Sequence, residues 1–113
     1  MRNSSPDLLN EDRILQIMMD RLIAAFQPDR IYLFGSKARE DSNADSDYDL
    51  MVVVSDDAPS EKRRSRLAYQ VLRGTRTAAD VLVWTKTAFD KRLHIPSSLP
   101  SVIEREGKLL YAA

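Results

Sequence analysis

The sequence predicts an α/β fold, in the α+β sense of a mixed β-sheet with helices packed on it. Three observations predict it. Segments with helical spacing alternate along the chain with short apolar runs of strand length. The run Tyr48-Asp49-Leu50-Met51-Val52-Val53-Val54 is continuously apolar after its second residue, which implies a strand buried on both faces. A chain of 113 residues suffices for one hydrophobic core and not for two, so a single domain over residues 1–113 is expected.

Residues 1–10 read as a loose lead-in, in which Ser5-Pro6-Asp7 or Asn10 can cap a helix. Residues 11–27 have helical spacing. Ile14, Ile17, Met18, Leu22, Ala25 and Phe26 form one apolar face, and Leu15, Met19 and Ile23 widen it. Pro28 ends this helix and biases Gln27 out of the helical region. Residues 30–34 make a strand that Gly35 breaks, and Ser36 can cap a short helix to about Glu40. Residues 41–46 are turn chemistry throughout. After the strand 48–54 and a loop, a helix is expected from about Pro59 or Ser60 to Arg73. Its apolar face is Leu67, Ala68, Val71 and Leu72, and Gly74 is its stop. Residues 78–84 form a further strand, 86–94 a short helix, 99–106 a last helix ended by Gly107, and 108–111 a final edge strand. The segment between the first two strands can hold a helix, so those strands can pair in either sense. No repeat, linker or low-complexity tract interrupts the chain.

Lys plus Arg and Asp plus Glu both number 17, so the chain has no general attraction to nucleic acid or to an anionic membrane. The absence of cysteine excludes disulfides, thiolate zinc sites and a cysteine nucleophile. No stretch reaches the roughly 20 apolar residues of a membrane span. The N-terminus has no apolar signal core. A cytoplasmic protein is the simplest expectation.

The chemistry concentrates at Gly35-Ser36 and at Asp47-Tyr48-Asp49. Residues two apart on a strand point the same way, their Cα atoms about 6.6 Å apart, so Asp47 and Asp49 repel unless a cation or proton lies between them. Mg²⁺ is commonly held by one or two carboxylates plus substrate phosphates. Asp80, at the mouth of another apolar strand, can serve as a third ligand or a general base. A glycine turn entering a helix offers backbone N–H groups to an anion, and Lys37 and Arg39 follow it closely. Each feature also has a plain structural reading. Asp and Ser are common in turns, Asp80 can be a solvated strand end, Gly35 can be only a turn residue, and Arg39 can pair with Asp41 or Asp45. The pattern is neither a Walker A loop nor a Rossmann fingerprint.

Phe34-Gly35-Ser36, followed after ten residues by Asp47-Tyr48-Asp49-Leu50, resembles the signature of the DNA-polymerase-β-like nucleotidyltransferases. With Lys37-Ala38-Arg39 it is similar to the minimal nucleotidyltransferase (MNT) branch, whose members commonly act as antitoxins beside a HEPN-domain toxin. The resemblance extends over nearly the whole chain and implies a polymerase β palm-like fold. It implies that Gly35 and Ser36 contact a nucleoside triphosphate, that Asp47 and Asp49 hold two Mg²⁺ ions, and that Asp80 completes a metal site and can deprotonate the acceptor. The implied reaction moves AMP from ATP to a hydroxyl, a toxin tyrosine in some members, and releases pyrophosphate. One departure is Glu40, where relatives have Gly, which puts a negative charge near the site.

Two other functions suit the same residues. The domain can mask a toxin without catalysis, or it can act on a small hydroxylated compound such as an aminoglycoside. Relatives with the latter role carry a second domain, and here a homodimer would have to supply that wall. Lys62, Arg63, Arg64, Arg66, Arg73 and Arg76 make a basic segment, readable as a solvated face or as a surface for an acidic partner or phosphates. His94, Trp84 and Tyr69 are read as structural residues, the last two as core or partner contacts.

Overall fold

A computed structural model describes residues 13–39, 47–75 and 78–113. The expected lead-in, the helix start at residues 11–12, Glu40, the turn 41–46 and Arg76 lie outside the described residues.

The elements in chain order are α1 (Arg13–Phe26), β1 (Arg30–Phe34), α2 (Gly35–Arg39) and β2 (Tyr48–Val54). A 3₁₀ turn (Ser60–Arg63) leads into α3 (Ser65–Val71), followed by β3 (Ala79–Thr85), α4 (Lys86–Asp90), α5 (Leu99–Glu106) and β4 (Lys108–Ala112). The four strands form one mixed sheet in the order β3-β2-β1-β4. β1 pairs antiparallel with β2 and with β4, which settles the sense the sequence left open, and β2 pairs parallel with β3. The expected α+β architecture is the one observed.

α1 and α3 cover one face of the sheet. There Leu15, Met18, Met19, Leu22 and Phe26 of α1 join Ile31, Leu33, Leu50, Val52 and Val54 in the larger core cluster. Ala68 and Leu72 add the face expected for the third helix. The stripe on α1 is rotated from the expected one: Ile14 and Ile17 are exposed, and Leu15 and Met19 take the centre. Both sets fit a 3.6-residue period, and a helix lying on a sheet buries only one such stripe. Arg21 reaches across from α1 and donates to the carbonyls of Val71 and Arg73 at 3.2 and 3.0 Å, satisfying acceptors at the end of α3.

α4 and α5 cover the other face through a smaller cluster of Tyr32, Met51, Val53, Phe89 and Ile103. Tyr32 stacks on Phe89 with centroids 5.4 Å apart, and Trp84 meets Phe89 edge-on. β2 contributes alternate residues to both clusters, which is why its run from Leu50 to Val54 is fully buried.

Two helices are shorter than the sequence suggests. The expected helix from residue 59 or 60 to 73 breaks at Arg64, whose backbone is extended (φ −124°, ψ 142°), and regular α-helix stops at Val71. The expected helix 86–94 ends at Asp90 and continues as turns. Thr85 and Ser98 cap α4 and α5 by accepting from the N–H groups of Ala88 and Ser101. Such caps contribute about 1 kcal/mol each. Among the described residues no helix is long and apolar enough to cross a membrane.

Candidate active site

Side chains alternate along β2, so Asp49 shares a face with Met51 and Val53, the face that α4 and α5 cover. Asp49 stands at the N-terminal end of the strand and stays half-buried there. Asp47, two residues earlier and just before the strand, is exposed. In the parallel register Asp49 lies directly opposite Asp80. Adjacent strands run about 4.8 Å apart, so the two carboxylates spring from neighbouring points on one face. The backbone N–H of Tyr48 donates to the Ala78 carbonyl at 3.1 Å and fixes this register at its start.

The electrostatics of Asp49 report that crowding. Its carboxyl is pushed above the usual carboxylate range, first by burial, then by the negative charges of Asp80 and Asp47. Arg39 opposes the shift. Acids that together raise the proton affinity of Asp49 leave the site short of positive charge, and hard oxygen donors of this kind suit Mg²⁺. Among the described residues no three carboxylate or imidazole groups converge closely enough to hold a metal ion together. A magnesium ion needs only one or two protein carboxylates when phosphates and water fill its remaining positions, so the donor set fits it.

Gly35 stands against these acids. Its φ is +74°, and a Cβ placed on it would lie 2.2 Å from Oδ2 of Asp49. Glycine is required there twice over, by backbone conformation and by the carboxylate pressed against it. α2 begins at this residue, so the turn leaving β1 passes directly over Asp49. Nothing of the Ser36 side chain is described.

The basic residues after the turn divide. Arg39 acts electrostatically on Asp49. Lys37 places its ammonium 4.6 Å from the ring centre of Tyr48, a residue of the opposite, α1-side cluster. The sequence grouped Lys37 with Arg39, and its ammonium rests here on an aromatic ring.

Tyr69 was not legible as part of this region. It is exposed on α3, and its hydroxyl donates to Oδ1 of Asp80 at 3.3 Å. The two residues are eleven apart, and only the crossover from α3 into β3 brings them together. His94 is exposed and lies beyond α4.

A polar network supports the covered part of the same face. Arg30 pairs with Asp29 at 2.9 Å and with Asp90 at 2.8 Å, donates to the Tyr32 hydroxyl, and lies over the Phe89 ring. Burial alone would lower the guanidinium pKa, but its bonds to Asp90, Tyr32 and Asp29 outweigh that and raise it. Tyr32 in turn donates to Glu104 at 2.6 Å, and its phenol is pushed up to about 12 by burial and by that bond. β1 is thereby tied to both covering helices.

Residues 16–112 match the family model described as polymerase beta, nucleotidyltransferase. Among solved structures, a proposed nucleotidyltransferase from Sulfolobus solfataricus superposes with a TM-score of 0.60 at 18% identity, covering 99% of this chain and 90% of that one. A toxin–antitoxin structure containing AMP-PNP superposes with a TM-score of 0.56 at 22% identity, covering 85% of this chain and 72% of that one. At these identities the likeness is one of fold. No curated protein matches the chain.

Proposed function

The chain belongs to the polymerase β nucleotidyltransferase family, and from that premise we propose that it transfers AMP from ATP to a hydroxyl of a partner protein. On this reading the partner is a HEPN toxin, the acceptor one of its tyrosines, and the chain its antitoxin. The observation that carries the proposal is the juxtaposition of Asp49 and Asp80 in parallel register, with Asp47 on the same approach and Gly35 pressed against Asp49.

The chemistry assigned to these residues is in-line displacement at the α-phosphate. Asp80 accepts the proton of the acceptor hydroxyl. The hydroxyl oxygen bonds to the α-phosphorus, the bond from that phosphorus to the oxygen bridging to the β-phosphate breaks, and pyrophosphate leaves. Asp47 and Asp49, with Asp80, are the residues that would hold magnesium, which when bound neutralises phosphate charge and aligns the reacting oxygens. The glycine turn at Gly35 and Ser36 receives the triphosphate, and Arg39 adds positive charge beside it. The AMP-PNP in the toxin–antitoxin neighbour supports a nucleotide at this fold.

The test is transfer of label from α-labelled ATP, with Mg²⁺, to the toxin encoded beside this chain. Wild type should label the toxin, and Asp47→Asn should reduce the rate at least ~100-fold, on the scale of a lost preorganised catalytic contact. Equal labelling by the two overturns the catalytic reading. A second reading is that the domain masks its partner without chemistry. An Asp47→Asn, Asp49→Asn double variant that still protects cells as well as wild type would establish it.

A further inference from the structure

A groove of about 510 Å³ lies at the C-terminal end of β3, away from the acids. Val83, Trp84 and Thr85 line one side of it, and Arg63, Arg64 and Arg92 surround them. Three consecutive strand residues cannot share one groove through their side chains alone, because side chains alternate between faces. The groove therefore runs along the edge of the strand. β3 is an outer strand of the sheet. The bond from Tyr48 N–H to Ala78 C=O sets the alternation, so even-numbered residues of β3 face β2 and the N–H and C=O of Val83 point away from it.

The charge of the groove is one-sided. Arg63 and Arg64 make no ion pair or side-chain hydrogen bond among the described residues, and Arg66 lines an adjoining cleft reached through Arg64. The one acid in that cleft is Glu61. Acids on the neighbouring elements are engaged elsewhere: Asp56 accepts from the backbone and hydroxyl of Thr87, and Asp90 holds Arg30. Arg92 is fixed over the Trp84 ring and donates to the Ala88 carbonyl at 2.9 Å. The break of the expected helix at Arg64 is what turns Arg63 and Arg64 toward the strand end.

Trp84, Leu82 and Asp80 lie on one face of β3 at alternate positions, and Leu82 between them is exposed. Four residues of extended chain, about 13 Å, separate the groove from the acids.

We propose that this groove binds an extended, carboxylate-rich segment of the partner protein, which adds to the free edge of β3 while Arg63, Arg64 and Arg92 pair with its acidic side chains. The strand edge favours a polypeptide over RNA, because main-chain pairing requires a peptide backbone. The surrounding guanidiniums select carboxylates on it. A segment held there runs along Leu82 and presents a residue about four positions away to Asp80. The proposal rests on the proposed function for the existence of the partner and for that presentation.

Binding is measured without nucleotide, by fluorescence anisotropy, using the full chain and a labelled Glu-Val-Glu-Val-Glu-Val peptide. The comparison probes are its Gln-for-Glu analogue, a version N-methylated at alternate backbone positions, and hexauridylate RNA. The acidic peptide should bind at least tenfold tighter than each of the other three. The Arg63→Glu, Arg64→Glu variant should lose it by tenfold or more and gain a Lys-Val-Lys-Val-Lys-Val peptide, a gain that misfolding cannot produce. Equal binding of the Glu and Gln peptides, indifference to N-methylation, tighter binding of the RNA, or a charge-reversed variant without the new preference would each overturn the proposal. A failure of label transfer with peptide binding intact overturns only the catalytic reading.

Discussion

On the α1 and α3 side of the sheet, aliphatic residues from two helices meet alternate residues of β1 and β2 in one continuous cluster. On the α4 and α5 side the apolar cluster is a third as populous, and much of the joining is polar, through Arg30, Tyr32, Asp90 and Glu104. The first face is covered along its length. The second leaves Asp49 half-buried and Asp80 exposed at one end, its open end. Stability and chemistry are thus divided between the faces. One is closed by area, while the other is pinned by a few directional bonds so that part of it stays accessible to a charged ligand.

Substitutions at graded distances from the open end can sharpen or break that division. Phe26→Ala, in the closed face, should cost about 3–5 kcal/mol in denaturant unfolding. Gly107→Ala comes next, on the second face. Its Cβ would lie 2.7 Å from the Ile103 carbonyl and 2.8 Å from that of Leu33, so backbone must move. A loss of about 1–3 kcal/mol is expected. Gly35→Ala should cost about 1–2 kcal/mol for its left-handed backbone, and should also abolish any rise in melting temperature given by Mg²⁺ with ATP. A Gly35→Ala protein that keeps the ligand response would break the link between this turn and Asp49.

Asp49→Asn should have the opposite sign. Its raised pKa means that the fold prefers the protonated carboxyl. That preference stabilises the protein in acid and is lost as pH rises through the folded value. At neutral pH without metal, the asparagine should therefore be the more stable of the two. The gain should vanish at low pH, where the aspartate is already neutral. The smallest effect is felt only in alkali. Tyr32, raised to about 12, favours its protonated form in the folded state, so its contribution is whole below about pH 10 and lost as pH climbs through 12. Ultraviolet titration should show the Tyr32 tyrosinate forming late, and Glu104→Gln should bring it earlier.

Much of this was legible in the sequence because it depends on local periodicity. Asp47 and Asp49 fall together at the mouth of a strand by local spacing alone, and the strand's burial follows from its unbroken apolar run. Asp80 could be suspected, but its position opposite Asp49 depends on a register set across a crossover that no local pattern encodes. Tyr69 was missed for the same reason. The contact of Lys37 with Tyr48 was not visible either, because the two lie eleven residues apart. Ile14 and Ile17 fit a helical stripe as well as Leu15 and Met19 do, and only the sheet decides which stripe is buried. Arg64 has no residue type that signals a break; the helix parts there without a proline or glycine.

The parallel pairing of β2 with β3 also bears on how the molecule opens. β1 and β2 are neighbours in sequence, whereas β3 joins them through a crossover containing the 3₁₀ turn and α3, and it has a strand on one side only. An outer strand held by short helices belongs to the part of a protein that unfolds locally before the rest. When β3 lifts away, Asp80 leaves with it, while Asp47, Asp49 and Gly35 stay on the β1–β2 hairpin. Amide hydrogen exchange should find β3 less protected than β2. In those brief openings the folded remainder retains two of its acids and loses the third.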